Sequence, residues 1–191
     1  MLDRKAFVTV WDESFGTLPR PLLLRERFKD RWFRIHSLPE GERHAETRRE
    51  HQILLLRHNR LQASLFADDK WVIIITAGDS TWPPDQPRQN SLSQHPDNWH
   101  WQSFPSEAWD PKSPQINIYA RLAPWKPGNF DMLISLAAED RIDGLIILGL
   151  HSRRLYMPYD GGADAVLGDP AEAQDFKRNF FEYLSPREDG L

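Results

Sequence analysis

Two aspartates, Asp160 and Asp164, flank a twin glycine in LYMPYDGGADAVL, residues 155–167. Carboxylates so placed would suit a cation site or general acid–base work beside a histidine. A calcium loop needs more oxygen ligands at closer spacing and a bidentate glutamate at its end, which DGGAD lacks. Twin glycines also supply the positive φ of a tight hairpin. The spacing therefore predicts a turn whose acids face water and hold no ion. Pro158 has no N–H to give a ladder, which predicts an edge or bulged strand before the turn.

His44, His51 and His58 recur every seven residues. On a helix, successive members stand about 10 Å apart, whereas two ligands of one ion sit three or four residues apart. The stretch Glu42–Phe66 is rich in helix formers and lacks Gly and Pro, so it predicts a helix. Thr47, His51, Leu54, Leu55, His58, Leu61 and Leu65 form its packing stripe. His51 and His58 are then half-buried imidazoles hydrogen-bonded at the core margin. His36 ends one predicted strand and His151 follows another, and strand ends are where binding residues gather. A scattered set such as Asp160 or Asp164 with His36 or His151 is the one route to catalysis, since the chain has no G-x-S-x-G, H-E-x-x-H, G-x-G-x-x-G or glycine-rich phosphate loop. Trp99 and Trp101 would share one strand face, where they fill the core rim or anchor a partner.

The elements that must position these residues follow from periodicity. Ala6, Phe7, Val10, Trp11 and Phe15 predict an opening helix over residues 3–15, stopped at Gly16. Residues 31–38 alternate as a strand with Phe33 and Ile35 on one side and Trp32, Arg34 and His36 on the other. WVIIITA (71–77) and LIILGL (145–150) are continuously apolar, as in buried central strands. Further strands are expected at 99–104, 115–122, 153–159 and 163–167. Helices are expected at 129–140, started near Asn129 or Asp131, and at 170–184, with Asp169 as N-cap and Pro170 first in the helix. Residues 79–98 are polar, proline-rich and aperiodic, which predicts a surface loop. The expectation is an α+β fold: one domain spanning 1–191, with a mixed or antiparallel sheet of about five to seven strands, three helices and a loose tail at 186–191.

Composition narrows the function. With 40% hydrophobic and 27% charged residues the chain has material for a core, and its net charge of −4 offers no general attraction for a phosphate backbone. Nucleic acid is excluded as a partner. The absence of cysteine removes disulfides, thiolate nucleophiles, zinc ribbons and iron–sulfur clusters. No signal-peptide core or membrane-length apolar run is present, so a cytoplasmic protein with no membrane partner is expected.

Two segments, RWFRIHSLPEGERHAETRREHQILLLRHN (31–59) and LYMPYDGGADAVLGD (155–169), carry a resemblance. Together they resemble an uncharacterised family of bacterial proteins of unknown function, whose members share R-F/W-x-I-H-S-L-P-E, a downstream R-H-N, and Y-D-G-G-x-D near the C-terminus. The resemblance implies no activity, catalytic residue or cofactor. At the level of architecture alone, such proteins are similar to the immunity proteins that neutralise toxins.

The reading that follows is a non-enzymatic protein that recognises another protein, an immunity-like neutraliser of a toxin domain in its most specific form. Loop 79–98 and the nearby aromatic residues would be its surface. The alternative is a small-molecule or hydrolase-like site where His36, His151 and Asp160 converge. Candidate binding residues across both are His36, Trp99, Trp101, His151, Tyr159, Asp160 and Asp164, with no metal and no cofactor.

Overall fold

The computed structural model describes residues 4–79, 95–107, 109–110, 112–142, 144–185 and 187. The two apolar runs form the middle of a sheet: Trp71–Asp79 (β2) pairs with both Gln115–Pro124 (β4) and Ile146–Gly149 (β5). Outward on one side lies Trp99–Pro105 (β3), and on the other lie Leu155–Tyr159 (β6), Gly162–Val166 (β7) and Trp32–His36 (β1). The order is β1-β7-β6-β5-β2-β4-β3, and every pairing is antiparallel. The α+β expectation holds, with the antiparallel alternative realised.

Alternation along these strands builds two cores. Phe33, Ile35, Val72, Ile74, Ile147 and Tyr156 face Arg48–Leu65 (α3), Asp131–Ala138 (α4) and Pro170–Asn179 (α5). Trp32, Ile73, Ile75, Ile146, Leu148, Leu155 and Met157 face Arg4–Ser14 (α1) and Pro21–Arg27 (α2), which contribute Phe7, Trp11 and Leu24. Each fully buried aliphatic side chain contributes about 1.5–3 kcal/mol of transfer free energy, so apolarity on both faces of β2 and β5 is what places them centrally. Among the described residues five α-helices stand where three were expected. The seven-residue α2, begun by Pro21, is too short to show a helical period.

Helix boundaries differ from the sequence reading, and α5 ends at Asn179, short of the expected 184, with a separate 3-10 turn at Phe181–Tyr183. The long helix begins at Arg48, not Glu42, because Thr47 and Glu50 form a capping box: the Thr47 hydroxyl accepts from the Glu50 N–H, and the Glu50 carboxylate accepts from the Thr47 N–H at 2.9 Å. Neither Asn129 nor Asp131 caps α4, whose N-cap is Phe130. Asp169 does cap α5, with its Oδ1 accepting from the Glu172 N–H at 2.9 Å.

Pro158 belongs to an interior strand, yet β5 pairs with β6 only at Leu155 and Tyr156, so the proline lies beyond that ladder. Of the expected 79–98 loop, residues 80–94 lie outside the described residues, as does the expected tail apart from Arg187. Among the described residues no helix is long and apolar enough to cross a membrane. The register sets two ends to the sheet. Trp32, Trp71, Gly149, Leu155 and Val166 mark one, and His36, Asp79, Ile146, Tyr159 and Gly162 mark the other.

Candidate functional site

The twin-glycine stretch is the β6–β7 hairpin, closed by the Tyr159–Gly162 pair with Asp160 and Gly161 in the turn. Gly161 has φ +109°, and a Cβ there would lie 3.1 Å from Arg43 Cγ. At Gly162 a Cβ would lie 2.2 Å from the Ile35 carbonyl and 2.7 Å from the Tyr159 hydroxyl. The first glycine supplies the backbone angle, and the second lets β1 and the tyrosine approach.

The acids do not face open water as expected. Strand pairing sets Arg34 directly across from Asp164. Asp164 is 5% exposed and accepts from Arg34 Nε at 2.7 Å and Nη2 at 3.1 Å, a two-pronged ion pair. Asp160 pairs with Arg43 at 2.7 Å. The Arg34 guanidinium lies 4.7 Å from the centre of the Tyr159 ring. Burial pushes the Tyr159 hydroxyl well above the ordinary phenol range, with Arg34 opposing and Asp164 and Asp160 adding. Beside them, burial and then the Arg34 and Arg57 charges lower the His36 pKa, which favours its neutral form. A Cβ on Gly41 (φ +75°) would stand 2.9 Å from His36 Nδ1, so the Pro39–Gly41 3-10 turn closes tightly on that ring.

Behind this end runs a buried polar chain that the sequence did not reveal. Ser37 Oγ is 2.8 Å from His58 Nε2, and His58 Nδ1 is 2.5 Å from the Tyr156 hydroxyl. All three residues are 0% exposed. The arrangement resembles a nucleophile and base, but with a phenol where a catalytic carboxylate would orient the ring. With all three residues sealed from solvent, the serine hydroxyl is not presented to a substrate. The chain ties α3 to β1 and β6. Burial and the adjacent Arg57 charge hold the His58 pKa at about 3.

The other histidines are dispersed. His58 is fully buried instead of half-buried, while His51 is partly buried and lies 3.1 Å from Ser135 Oγ. His44 is exposed and precedes the helix. His151 stands in the β5–β6 turn at the opposite end from His36, Tyr159 and Asp160, separated from them by the length of β6, about 13 Å at 3.3 Å per residue. There its backbone N–H donates to Asp69 Oδ1 at 2.6 Å, and its side chain borders a cleft of about 310 Å³ with Asp68, Lys70 and Trp71. Trp99 and Trp101 do share a face, and they pack beneath α1. Trp101 lies 4.7 Å from Phe7 and 5.1 Å from Trp11 between ring centres, and Trp99 lies 6.0 Å from Phe7. A bulge between His100 and Gln102 accommodates the pair.

At the His36 end, on the α2 side of the sheet, a second cleft of about 290 Å³ is lined by Pro19, Pro21, Leu22, Phe104, Ile116 and Ile118, with Ala77 and Gly144 at its back and Arg20 beside Phe104. Leu22 is 54% exposed there. No local pattern in the sequence signalled this feature, because its lining comes from five separate stretches of chain.

No curated protein and no solved structure matches the chain. A family model described as Domain of unknown function (DUF3885) matches residues 21–188, from the start of α2 to beyond the Phe181–Tyr183 turn, and so takes in the hairpin, the buried polar chain and the lining of the α2 cleft apart from Pro19 and Arg20. On that span the chain belongs to the DUF3885 family.

Proposed function

We propose that this chain is a non-enzymatic bacterial protein of the cytoplasm, working as one domain, that acts by docking another protein at the α2 end of its sheet. One observation carries the reading: the apolar cleft of about 290 Å³ lies open beside Leu22, a large aliphatic side chain left 54% exposed. Protein interfaces concentrate their energy in such desolvated pockets, each taking an apolar anchor from the partner. The cleft also adjoins the end of β2 from which the polar 79–98 segment departs. Neutralisation of a toxin domain is the most specific form of this reading, supported by architecture alone.

The polar residues that suggested chemistry have structural partners that account for them: Asp164 holds Arg34, Asp160 holds Arg43, and Ser37, His58 and Tyr156 satisfy one another. The experiment is photo-crosslinking in the native host, with benzophenylalanine placed at Leu22 or, as a control, at Phe181, which is also exposed. The reading expects one dominant protein adduct from position 22 and none of that mass from position 181. The same adducts from both positions, or none from position 22, would remove it.

A further inference from the structure

Resting on that docking reading, the cleft's chemistry specifies what enters it. Its walls are apolar, yet one cation stands at its side. The Arg20 guanidinium lies 5.8 Å from the centre of the Phe104 ring, and among the described residues it has no carboxylate within salt-bridge distance and no side-chain hydrogen bond. Other arginines near this end are engaged: Arg34 with Asp164, Arg43 with Asp160, and Arg57 with the His36 carbonyl. A half-buried cation held over an aromatic wall, next to a cavity for a greasy side chain, calls for a carboxylate attached to an apolar group. The volume, about 290 Å³, is at the floor of the range for small-molecule pockets and suits a group the size of one amino-acid residue.

We propose that the cleft between α2 and strands β2 to β4 binds the C-terminal residue of a partner polypeptide, its aliphatic or aromatic side chain seated among Leu22, Phe104, Ile116 and Ile118 and its terminal carboxylate paired with Arg20. A chain terminus supplies both features at the right scale, because its side chain and carboxylate share one Cα and lie within a few ångströms of each other. Guanidinium pairs with carboxylates in a two-pronged geometry that an ammonium does not reproduce, so Arg20→Lys retains only part of the affinity.

The test is a titration of the full chain, followed by amide chemical shifts, with a hexapeptide ending in leucine as the free acid, the same peptide as the C-terminal amide, and N-acetyl-leucine. The proposal expects the acid peptide to move the amides of Ala77, Ile116 and Ile118. Binding should weaken about tenfold or more with the amide peptide or in Arg20→Met, the usual scale of one charge-assisted hydrogen bond. An unchanged spectrum of Arg20→Met away from the cleft shows that the variant is folded. Equal response to acid and amide overturns the proposal while leaving apolar docking in place. So does an adduct at Leu22 with no peptide response, and so does binding of N-acetyl-leucine without the peptide. Failure of both the crosslink and the peptide ends the docking reading itself.

Discussion

The buried Ser37–His58–Tyr156 chain makes stability depend on pH in a way that can be worked out in advance. In the unfolded chain His58 takes up a proton near the ordinary 6.5, whereas in the fold it resists protonation down to about 3. Below pH 6.5 the unfolded state therefore binds a proton that the native state refuses, so stability falls as pH drops through the window from 6.5 to 3. By pH 5 the loss is about 2 kcal/mol, and by pH 3 it reaches about 4 kcal/mol, a large part of the whole stability of many domains. For a chain of this size, 2 kcal/mol lowers Tm by about 4–8 °C. The perturbation is His58→Gln, which keeps a hydrogen-bonding side chain but cannot titrate. Its own Tm at pH 8 will be lower than that of the natural chain, so the informative quantity is the slope: melting measured from pH 8 to pH 5 should fall more steeply for the natural chain by those 4–8 °C. Parallel curves would refute the reasoning, since every other titrating group is common to both proteins.

Three further outcomes follow from the same contacts. Asp164→Ala removes the carboxylate that the partly buried Arg34 holds and should cost about 3 kcal/mol or less in urea unfolding, most of which returns when Arg34→Met is added. Gly162→Ala forces a Cβ to within 2.2 Å of the Ile35 carbonyl, so the β1–β7 ladder must part; hydrogen exchange should quicken at Phe33 and Ile35 before it changes in β2. Thr47→Ala removes one half of the capping box and should lower stability by about 1 kcal/mol, with faster exchange confined to the first turn of α3.

Much of the scaffold was legible because local chemistry and global position agree. WVIIITA and LIILGL had to be covered on both faces, and β2 and β5 are. Asp169-Pro170 marked a helix start, and Asp160-Gly161-Gly162 marked a hairpin. The start of α3 was written in the sequence as Thr47-x-x-Glu50, but the helix formers of residues 42–46 masked it. What could not be read depends on pairings far apart along the chain. Arg34 meets Asp164 only because β1, the first strand, lies beside β7, the last. That register sets Asp164 against Arg34, while Asp160 meets Arg43 at the turn. His58 belonged to the apolar stripe of its helix, yet its partners are Ser37, just past β1, and Tyr156 of β6. The cleft beside α2 is likewise assembled from separate stretches, and its short helix has no period to announce it.

The proposed docking site is that cleft, and the polar residues hold the fold together. The most direct measurement compares, by quantitative mass spectrometry, the proteins retained from the native host by the natural chain and by Leu22→Asp, which sets a charge at an exposed rim position without touching the core. Docking at the cleft requires a partner retained by the natural chain and lost from Leu22→Asp at unchanged Tm. Identical retained sets would contradict it.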